Sequence, residues 1–255
     1  MSTVPTGTAA GTVRAPTVLA GRGLSKRFGD LQVLTEVDFS VGAGEAVGIV
    51  GPNGAGKTTL LNVLSGSQRP SAGRIEFNDQ DITGLRPELR CRRGIGRAFQ
   101  VPKPFTGMTV LENVLVGASY GAGLGRQAAY RRCVEVLETC GLAGLANRRA
   151  DSLGLLHRKR LELARSLATA PQVLLLDEIG GGLTDAEADE LVATIKLVSE
   201  QGTSIVWIEH IVHVLIQVVD RLVCMDAGRV IADGPPGTVL SDAVVVDAYL
   251  GRAGS

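Results

Sequence analysis

The sequence predicts an α/β fold, in which a parallel, doubly wound sheet carries an antiparallel β piece and an inserted helical subdomain. Three short apolar runs are typical of strands buried on both faces: Ala46–Val50, Val173–Asp177 and Ser204–Ile208. Helical patterns lie between and after these runs. Because parallel strands need long crossover connections, this alternation of strands and helices favours a parallel sheet.

Two helical segments support the alternation. Lys57–Leu64 follows the first apolar run, and Ala186–Val198 follows the second. The second segment has apolar side chains at helical spacing, which predicts that one of its faces packs on the sheet. This apolar face consists of Leu191, Val192, Ile195 and Val198.

Two other regions indicate antiparallel strands and helices. Arg74–Phe77 is predicted as a strand, and Leu222–Met225 with Val230–Ile231 flanks a Gly-containing turn, as in a β-hairpin. Residues 102–157 have helical spacing, interrupted by Gly-rich breaks, and no convincing strand. We therefore expect this region to be a helical subdomain inserted into the α/β core, with its helices at Val110–Val116 and Tyr130–Leu137.

Composition excludes several classes of protein. The 255 residues include 26 Lys+Arg and 26 Asp+Glu, so the formal net charge is zero and nucleic acid is not an expected partner. The 45% of hydrophobic residues exclude disorder over the whole chain. No apolar run reaches the roughly 18 residues that a membrane span needs.

The first 20 residues are small and polar, and Arg14 is their only charged side chain. They lack the basic start and the apolar segment of a secretory signal. We expect residues 1–20 to be a flexible tail on a cytoplasmic protein and residues 21–255 to form the folded domain. The four cysteines form no C-x-x-C pair, which is typical of thiols in a reducing compartment.

A phosphate-binding loop follows the first predicted strand and precedes the first predicted helix. Its residues match G-x-x-x-x-G-K-[ST] in full and are Gly51, Pro52, Asn53, Gly54, Ala55, Gly56, Lys57, Thr58 and Thr59. The glycines let successive N–H groups converge on phosphate oxygens, and the helix directs its positive end at the same anion. Lys57 supplies a charge for the β- and γ-phosphates, and Thr58 supplies a hydroxyl for Mg²⁺.

A second motif ends the strand Val173–Asp177. Asp177 is expected to reach Mg²⁺, and Glu178 is placed to polarise a water for in-line attack on the γ-phosphate. Two acids at the end of a strand alone are usually a solvated turn. The complete phosphate loop upstream favours the functional interpretation.

Beyond these two motifs, the sequence resembles the ATP-binding subunits of ABC transporters, from about Leu24 to Gly251. The resemblance implies a P-loop NTPase (RecA-like) core and an ABC ATPase domain. Phe28 matches the aromatic residue that stacks on adenine in that family. Gln100 matches the glutamine that contacts the metal and the attacking water, and His210 matches the switch histidine that touches the γ-phosphate.

Each of these three residues also has an ordinary interpretation. Phe28 and His210 fit core positions, and Gln100 alone would indicate nothing. Their order and spacing around two strong motifs favour the functional interpretation. Trp207 and His213 are interpreted as structural.

The resemblance fails at the family's signature sequence, L-S-G-G-Q, which precedes the helix predicted at Arg158–Ala168. Residues 153–157 are Leu-Gly-Leu-Leu-His instead. Gly154 replaces the serine whose hydroxyl bonds the γ-phosphate in the partner's site, and Leu156 replaces a glycine. Because Gly154 keeps a backbone N–H at a helix N-terminus, it is still expected to contact phosphate. The activity of the site that this segment completes is left open.

Two smaller departures follow Glu178. Ile179 stands where a proline is common, and Thr184 stands where the family's interface loop carries Asp or Asn. Thr184 is expected to be a weaker polar contact across the dimer. Asp185 either compensates for it or serves as the N-cap of the next helix.

Two stretches narrow the resemblance to importers of branched-chain amino acids: residues 97–114, and residues 228–236 together with 247–251. In that group, two ATPase subunits act with two transmembrane permeases and, indirectly, an external solute-binding protein. The resemblance therefore implies an ATP- and Mg²⁺-dependent subunit, cytoplasmic and peripheral on the inner face of the cell membrane. The solute, which ranges from hydrophobic amino acids to urea or short amides, is not identified by these residues.

The segment Gln100–Met108 is rich in Pro and Gly and is expected to dock a cytoplasmic helix of the permease. Val101, Phe105 and Met108 fit this contact or local core equally well. Two other functions use the same catalytic motifs. An exporter or lipid-transport ATPase would differ only in the subfamily stretches, and a soluble ABC ATPase acting on nucleic acid or ribosomes usually carries tandem cassettes, coiled coils or a basic arm.

Overall fold

The computed structural model describes residues 15–250. Within them the strands are β1 (Thr17–Phe28), β2 (Leu31–Gly42), β3 (Ala46–Val50), β4 (Ala72–Phe77), β5 (Gln80–Asp81), β6 (Ile95–Ala98), β7 (Val173–Asp177), β8 (Ser204–Ile208), β9 (Arg221–Asp226) and β10 (Arg229–Gly234). The α-helices are α1 (Lys57–Ser65), α2 (Pro87–Arg93), α3 (Val110–Val116), α4 (Arg126–Thr139), α5 (Leu155–Ala168), α6 (Asp185–Glu200), α7 (Val212–Leu215), α8 (Pro236–Leu240) and α9 (Ala243–Leu250). None of these helices is long and apolar enough to span a membrane.

Six strands form one sheet in the order β10-β9-β3-β8-β7-β6. Neighbours in it pair in parallel except β9 and β10, which form an antiparallel hairpin. Ile49 in β3 lies opposite Ile208 in β8, and Ile208 lies opposite Asp177 in β7. Because parallel strands end at the same edge of a sheet, the loops after β3, β7 and β8 meet there.

The strand and helix predictions for this sheet are confirmed. The three buried strands have the predicted bounds, and the predicted hairpin is β9–β10. The predicted strand at 74–77 lies within β4, and the predicted helices at 57–64 and 186–198 lie within α1 and α6. The apolar face of α6 is buried as predicted.

Both faces of the parallel sheet are covered by apolar layers. Leu174 and Leu176 of β7 point into the layer that holds α5 and α6, whereas Val173 and Leu175 point into the layer that holds α1 and the second sheet. This alternation follows from the two-residue period of a strand. Burial on both faces explains why these strands are continuous apolar runs.

The second sheet has the order β2-β1-β4-β5 and is antiparallel. It corrects the predicted tail over residues 1–20, because Thr17–Ala20 form the start of β1 and Leu19 is fully buried between β2 and β4. Residues 1–14 of that predicted tail lie outside the described residues. The β1–β2 pairing contains several register shifts, which interrupt the alternation that would identify the strand from sequence.

Between β6 and β7 the described chain contains helices and turns, with one isolated β-bridge between Thr109 and Arg149. The helices predicted at 110–116 and 130–137 lie in α3 and α4, and the helix predicted at 158–168 lies in α5. Helix α3 packs on α4 and α5. It begins at a capping box, in which the Thr109 hydroxyl accepts from the Glu112 N–H and the Glu112 carboxylate accepts from the Thr109 N–H.

Candidate active site

The loop between β3 and α1 has a backbone that glycine adopts most readily. Gly51, Gly54 and Gly56 have φ values of 144°, 81° and 98°, a region that L side chains disfavour. Two of them also lie against other strands. A Cβ on Gly51 would meet Met225 O at 2.0 Å, and a Cβ on Gly56 would meet Val33 O at 2.9 Å. Glycine is therefore required for the tight curl of this loop.

The loop borders an open cavity of about 260 Å³, lined by residues 53–59 with Val33 and Glu178. The buried Lys57 ammonium lies at this cavity, where it donates to Gly51 O at 2.7 Å and to Pro52 O at 3.0 Å. Burial lowers the pKa of Lys57, and the charge of Glu178 acts in the opposite direction. An ammonium held by two neutral carbonyls in a buried position favours an incoming anion.

The first turn of α1 faces the same cavity. Its N-cap is Gly56, which has no side chain to hydrogen-bond the N–H groups of that turn. Thr58 and Thr59, in this turn, also line the cavity. Uncapped N–H groups and the positive end of the helix dipole form an anion-binding site. Residues 51–59 therefore fit the phosphates of a nucleotide.

Asp177, at the end of β7, lies beside this turn. Thr58 Oγ1 donates to Asp177 Oδ1 at 3.3 Å, and Arg97 Nη2 donates to Asp177 Oδ2 at 2.9 Å. A hydroxyl and a carboxylate at one place are oxygen ligands of the kind that Mg²⁺ prefers. Within residues 15–250, no group of three His, Cys, Asp or Glu side chains could hold a metal ion. The Thr58 hydroxyl and the Asp177 carboxylate therefore fit a Mg²⁺ ion whose other ligands include the phosphates of a nucleotide.

Glu178 is the point at which the three predicted catalytic residues meet. Gln100 Nε2 donates to Glu178 Oε2 at 2.6 Å, and His210 Nε2 lies 2.6 Å from Glu178 Oε1. Glu178 has a φ of 47° and donates its N–H to Ile208 O at 2.9 Å. Positive φ at a non-glycine residue is strained and is concentrated at functional sites. The carboxylate is thus held at the edge of the phosphate-loop cavity.

Phe28 lies outside this cavity, at the tip of the β1–β2 hairpin. Its side chain is 43% exposed and the Lys26 ammonium lies 4.8 Å from the ring centroid, so Phe28 is not a core residue. Phe28 pairs with Leu31, and Val33, two residues further along, lines the cavity. The ring is therefore an exposed apolar surface on the strand pair that borders the cavity.

Gly154 also lies outside the cavity, as the N-cap of α5. A Cβ on Gly154 would meet no atom within 4 Å. The next residue, Leu155, is 44% exposed, and its side chain comes within 3.4 Å of where a Cβ on Gly182 would lie. The N-terminus of α5 is therefore exposed and does not border the chain's own phosphate-loop cavity.

Thr184, rather than Asp185, is the N-cap of α6. The Thr184 hydroxyl accepts from the Glu187 N–H, and the Glu187 carboxylate accepts from the Thr184 N–H. Asp185 is the first residue of the helix, so its interpretation as the N-cap is wrong. The physical reason is the capping box, which requires a glutamate three residues after the cap and which Thr184 satisfies.

Buried side chains hold the exposed segment after Gln100, and Asn113 makes two of these contacts. Asn113 Oδ1 accepts from the Phe105 N–H at 2.8 Å, and Asn113 Nδ2 donates to Phe105 O at 3.1 Å. The exposed fractions of Val101, Phe105 and Met108 are 62%, 43% and 39%. These values exclude the interpretation of the three residues as local core.

Three buried charged residues near the site were not predicted: Arg97, Lys159 and Glu209. Arg97 interrupts the apolar strand β6, and Glu209 directly follows the apolar strand β8. Charged residues in apolar surroundings are paired in native proteins. That rule could have indicated that these residues have partners, but apart from the His210 N–H beside Glu209 these partners are distant in sequence.

Two family profiles match the sequence. One, described as ABC transporter, matches residues 34–180, and the other, described as branched-chain amino acid ATP-binding cassette transporter, matches residues 229–255. The high-affinity branched-chain amino acid transport ATP-binding protein BraF of Pseudomonas aeruginosa is 37% identical, over 92% of this chain and 98% of BraF. The protein of the same description in Escherichia coli K12, LivG, is 36% identical with the same coverage.

Solved structures give the same result. A nucleotide-free ATP-binding cassette from an ABC transporter has a TM-score of 0.82 and 31% identity, over 91% of this chain and 98% of that chain. The ADP conformation of an ATP-binding cassette has a TM-score of 0.83 and 32% identity, over 92% of this chain and 99% of that chain. The phosphate loop, the fold and these relatives agree: the chain belongs to the ABC transporter family, as an ATP-binding cassette of the branched-chain amino acid transport group.

Proposed function

We propose that this chain binds and hydrolyses ATP to energise a membrane importer for branched-chain or other hydrophobic amino acids. The observation that carries the proposal is the position of Glu178, which lines the phosphate-loop cavity and contacts both Gln100 and His210. The relatives BraF and LivG, described as branched-chain amino acid transport ATP-binding proteins, support the solute class.

ATP binds with its phosphates against residues 51–59, whose N–H groups and glycine curvature fit an anion. Lys57 exchanges its contacts with the loop carbonyls for the β- and γ-phosphates. The exposed ring of Phe28 stacks on the adenine.

Thr58, Gln100 and Asp177 would hold Mg²⁺. When bound with the nucleotide, the ion neutralises charge on the β- and γ-phosphates. Arg97 holds Asp177 through Oδ2, and this contact leaves Oδ1 directed at Thr58. The carboxylate is therefore oriented before the nucleotide arrives.

Glu178 acts as the general base for hydrolysis. It accepts a proton from water while the water oxygen bonds to the γ-phosphorus, and the bond from that phosphorus to the bridging oxygen of ADP breaks. Gln100 orients the water, and His210 donates to the γ-phosphate. A positioned general base contributes roughly 10²–10⁴ in rate.

The assembly that we propose contains two transmembrane permeases, a second ATPase subunit and, indirectly, an external solute-binding protein. The exposed segment Gln100–Met108, which leads into the helical subdomain at about 102–157, contacts the permease on the inner face of the cell membrane. Gly154, open at the N-terminus of α5, contacts the nucleotide of the second ATPase. ATP stabilises the closed ATPase pair, and hydrolysis reopens it.

The test is the Glu178→Gln variant of the purified chain, assayed for phosphate release and for equilibrium binding of ATP with Mg²⁺. We expect phosphate release to fall at least a hundredfold, because the amide accepts no proton, while ATP affinity is kept. Glu138→Gln, an exposed residue on α4, makes the same atomic change away from the site and is the control. Full phosphate release by Glu178→Gln would contradict the proposal.

A further inference from the structure

Glu209 is a buried carboxylate that joins two loops of the active site. It directly follows β8, and 3% of its surface is exposed. Glu209 Oε1 accepts from the Gly180 N–H at 2.7 Å, and Glu209 Oε2 accepts from the His210 N–H at 3.1 Å. One carboxylate therefore fixes the loop after Glu178 and the backbone of His210 at the same time.

Hydrogen bonds surround the contact between Glu178 and His210. The Glu178 N–H donates to Ile208 O at 2.9 Å, and the Glu178 carboxylate contacts His210 Nε2 at 2.6 Å. Glu209 adds the two bonds to Gly180 and His210. The ends of β7 and β8 are thus tied together on both sides of the Glu178–His210 contact, so the backbones at Glu178 and His210 cannot move apart without breaking one of these hydrogen bonds.

The loop after Glu178 leaves space at Gly180 for the carboxylate of Glu209. A Cβ on Gly180 would lie 2.7 Å from Glu209 Oε1, so the carboxylate takes the space that a side chain at position 180 would fill. A real Cβ does not approach an oxygen this closely, and glycine at 180 is therefore matched to glutamate at 209.

A buried cation supports the charge of Glu209. Lys159, which is 4% exposed, extends from α5 and donates to Gln100 O at 3.2 Å. Its charge and that of Glu209 attract each other. Burial raises the pKa of Glu209, and its hydrogen bonds from the Gly180 and His210 N–H groups act against that rise. Lys159 therefore joins α5 to the Gln100 backbone and places a positive charge near Glu209.

We propose that Glu209 is a positioning residue for hydrolysis, which holds Glu178 and His210 in the geometry in which both can face the γ-phosphate. The inference rests on the proposed function, because it assumes that these two residues act on ATP. Glu209 itself lies behind them and is not among the residues that line the cavity.

The first test is Glu209→Gln, measured for kcat and for ATP affinity. An amide has one acceptor oxygen, so its NH₂ group must face one of the two N–H donors and that bond is lost. We expect kcat to fall at least tenfold and the dissociation constant for ATP to change less than twofold. Glu162→Gln is the matched control, because Glu162 is a buried carboxylate that also accepts from a backbone N–H, that of Lys103. We expect it to leave kcat unchanged.

The second test is Gly180→Ala, alone and combined with Glu209→Gln. Its Cβ displaces the carboxylate, so the single variant is expected to lose kcat as Glu209→Gln does. Both changes disturb the same contact, the one between the Glu209 side chain and Gly180. We therefore expect kcat of the double variant to be little lower than kcat of either single variant. The proposal would be contradicted if the fold-losses of kcat in the two single variants multiplied in the double variant. Equal losses of kcat and of ATP affinity would also contradict it. Gly180→Ala also tests the proposal if Glu209→Gln does not fold.

The two proposals fail differently. Full hydrolysis by Glu178→Gln would overturn the proposed function and this inference with it. Loss of hydrolysis in Glu178→Gln, with unchanged kcat in Glu209→Gln and Gly180→Ala, would overturn the positioning role alone.

Discussion

Arg97 and Asp177 form an ion pair of 2.9 Å below the phosphate loop, with 8% and 7% of their side chains exposed. Arg97 Nη1 also donates to Ser65 Oγ at 2.9 Å, and its guanidinium lies 4.6 Å from the ring centroid of Phe99. The pair therefore joins β6, β7 and α1 beside the phosphate loop. Removing one partner of a buried pair leaves the other charge uncompensated.

We predict that Arg97→Met destabilises the chain by about 3–5 kcal/mol, because Asp177 would stay buried without its counter-charge. Unfolding in guanidinium chloride measures this loss. Arg149 and Asp151 form an ion pair at the same distance, 2.9 Å, with 62% and 45% of their side chains exposed. Arg149→Met is therefore the control and is expected to change stability far less. Equal effects of the two variants would show that burial does not determine how much an ion pair contributes to the free energy of unfolding.

We predict that Gly56→Ala weakens ATP binding at least tenfold and destabilises the chain by about 2–4 kcal/mol. The alanine Cβ would meet Val33 O and the side chain of Leu34, both at 2.9 Å, at a φ of 98°. Gly54→Ala is the control, because Gly54 also has a positive φ but a Cβ there meets no atom within 4 Å. It should show the smaller cost of the backbone conformation, about 1–2 kcal/mol, and should weaken ATP binding less than Gly56→Ala does. ATP titration and thermal unfolding distinguish the two.

We predict that Gly154→Ser tightens ATP binding in the assembled transporter roughly tenfold, because a charge-assisted hydrogen bond contributes about 1.5 kcal/mol. The serine side chain fits, since a Cβ on Gly154 meets no atom within 4 Å. Gly125→Ser is the matched control. Gly125 is the N-cap of α4, has a similar φ of −65°, and has equal space for a Cβ. Both variants should gain a few tenths of a kcal/mol in stability. If both also changed ATP binding equally, Gly154 would have no role at the nucleotide.

We predict that the buried thiols resist alkylation in the native chain at pH 8. Burial raises the pKa of Cys140 to about 12 and that of Cys224 to about 11. The thiolate is the reactive form, so both should stay unmodified by iodoacetamide for hours. Intact-mass measurement checks this, and the same reaction in guanidinium chloride, where all four cysteines should react, is the control. Fast native labelling of Cys140 would contradict the burial seen here.

The sequence predicts the parallel sheet and the phosphate loop because both depend on local patterns. β3, β7 and β8 are continuous apolar runs, and the loop has its glycines at fixed spacing. Strands β1, β2 and β6 are not predicted. The register shifts in the β1–β2 pairing remove the alternation on which such a prediction depends, and Arg97 interrupts the short apolar run of β6.

Three buried charged residues near the site, Arg97, Lys159 and Glu209, are missed for a different reason. Arg97 and Asp177 are 80 residues apart, and Gly180 and Glu209 are 29 apart. No local pattern relates such positions, because the sheet order and the strand register bring them together. The motif at the end of β7 predicts Glu178, and the resemblance predicts Gln100 and His210, which both lie within hydrogen-bond distance of Glu178. Neither predicts the residues behind them.

The central claim is that ATP binds across the loop that ends in Lys57 and Thr58. Calorimetric titration of ATP with Mg²⁺ into the wild-type chain and into Lys57→Met tests it most directly. We expect saturable binding to the wild type and an affinity at least tenfold lower for the variant, because the buried ammonium that faces the phosphates is gone. No binding of ATP at millimolar concentration, or the same affinity for both proteins, would contradict the account.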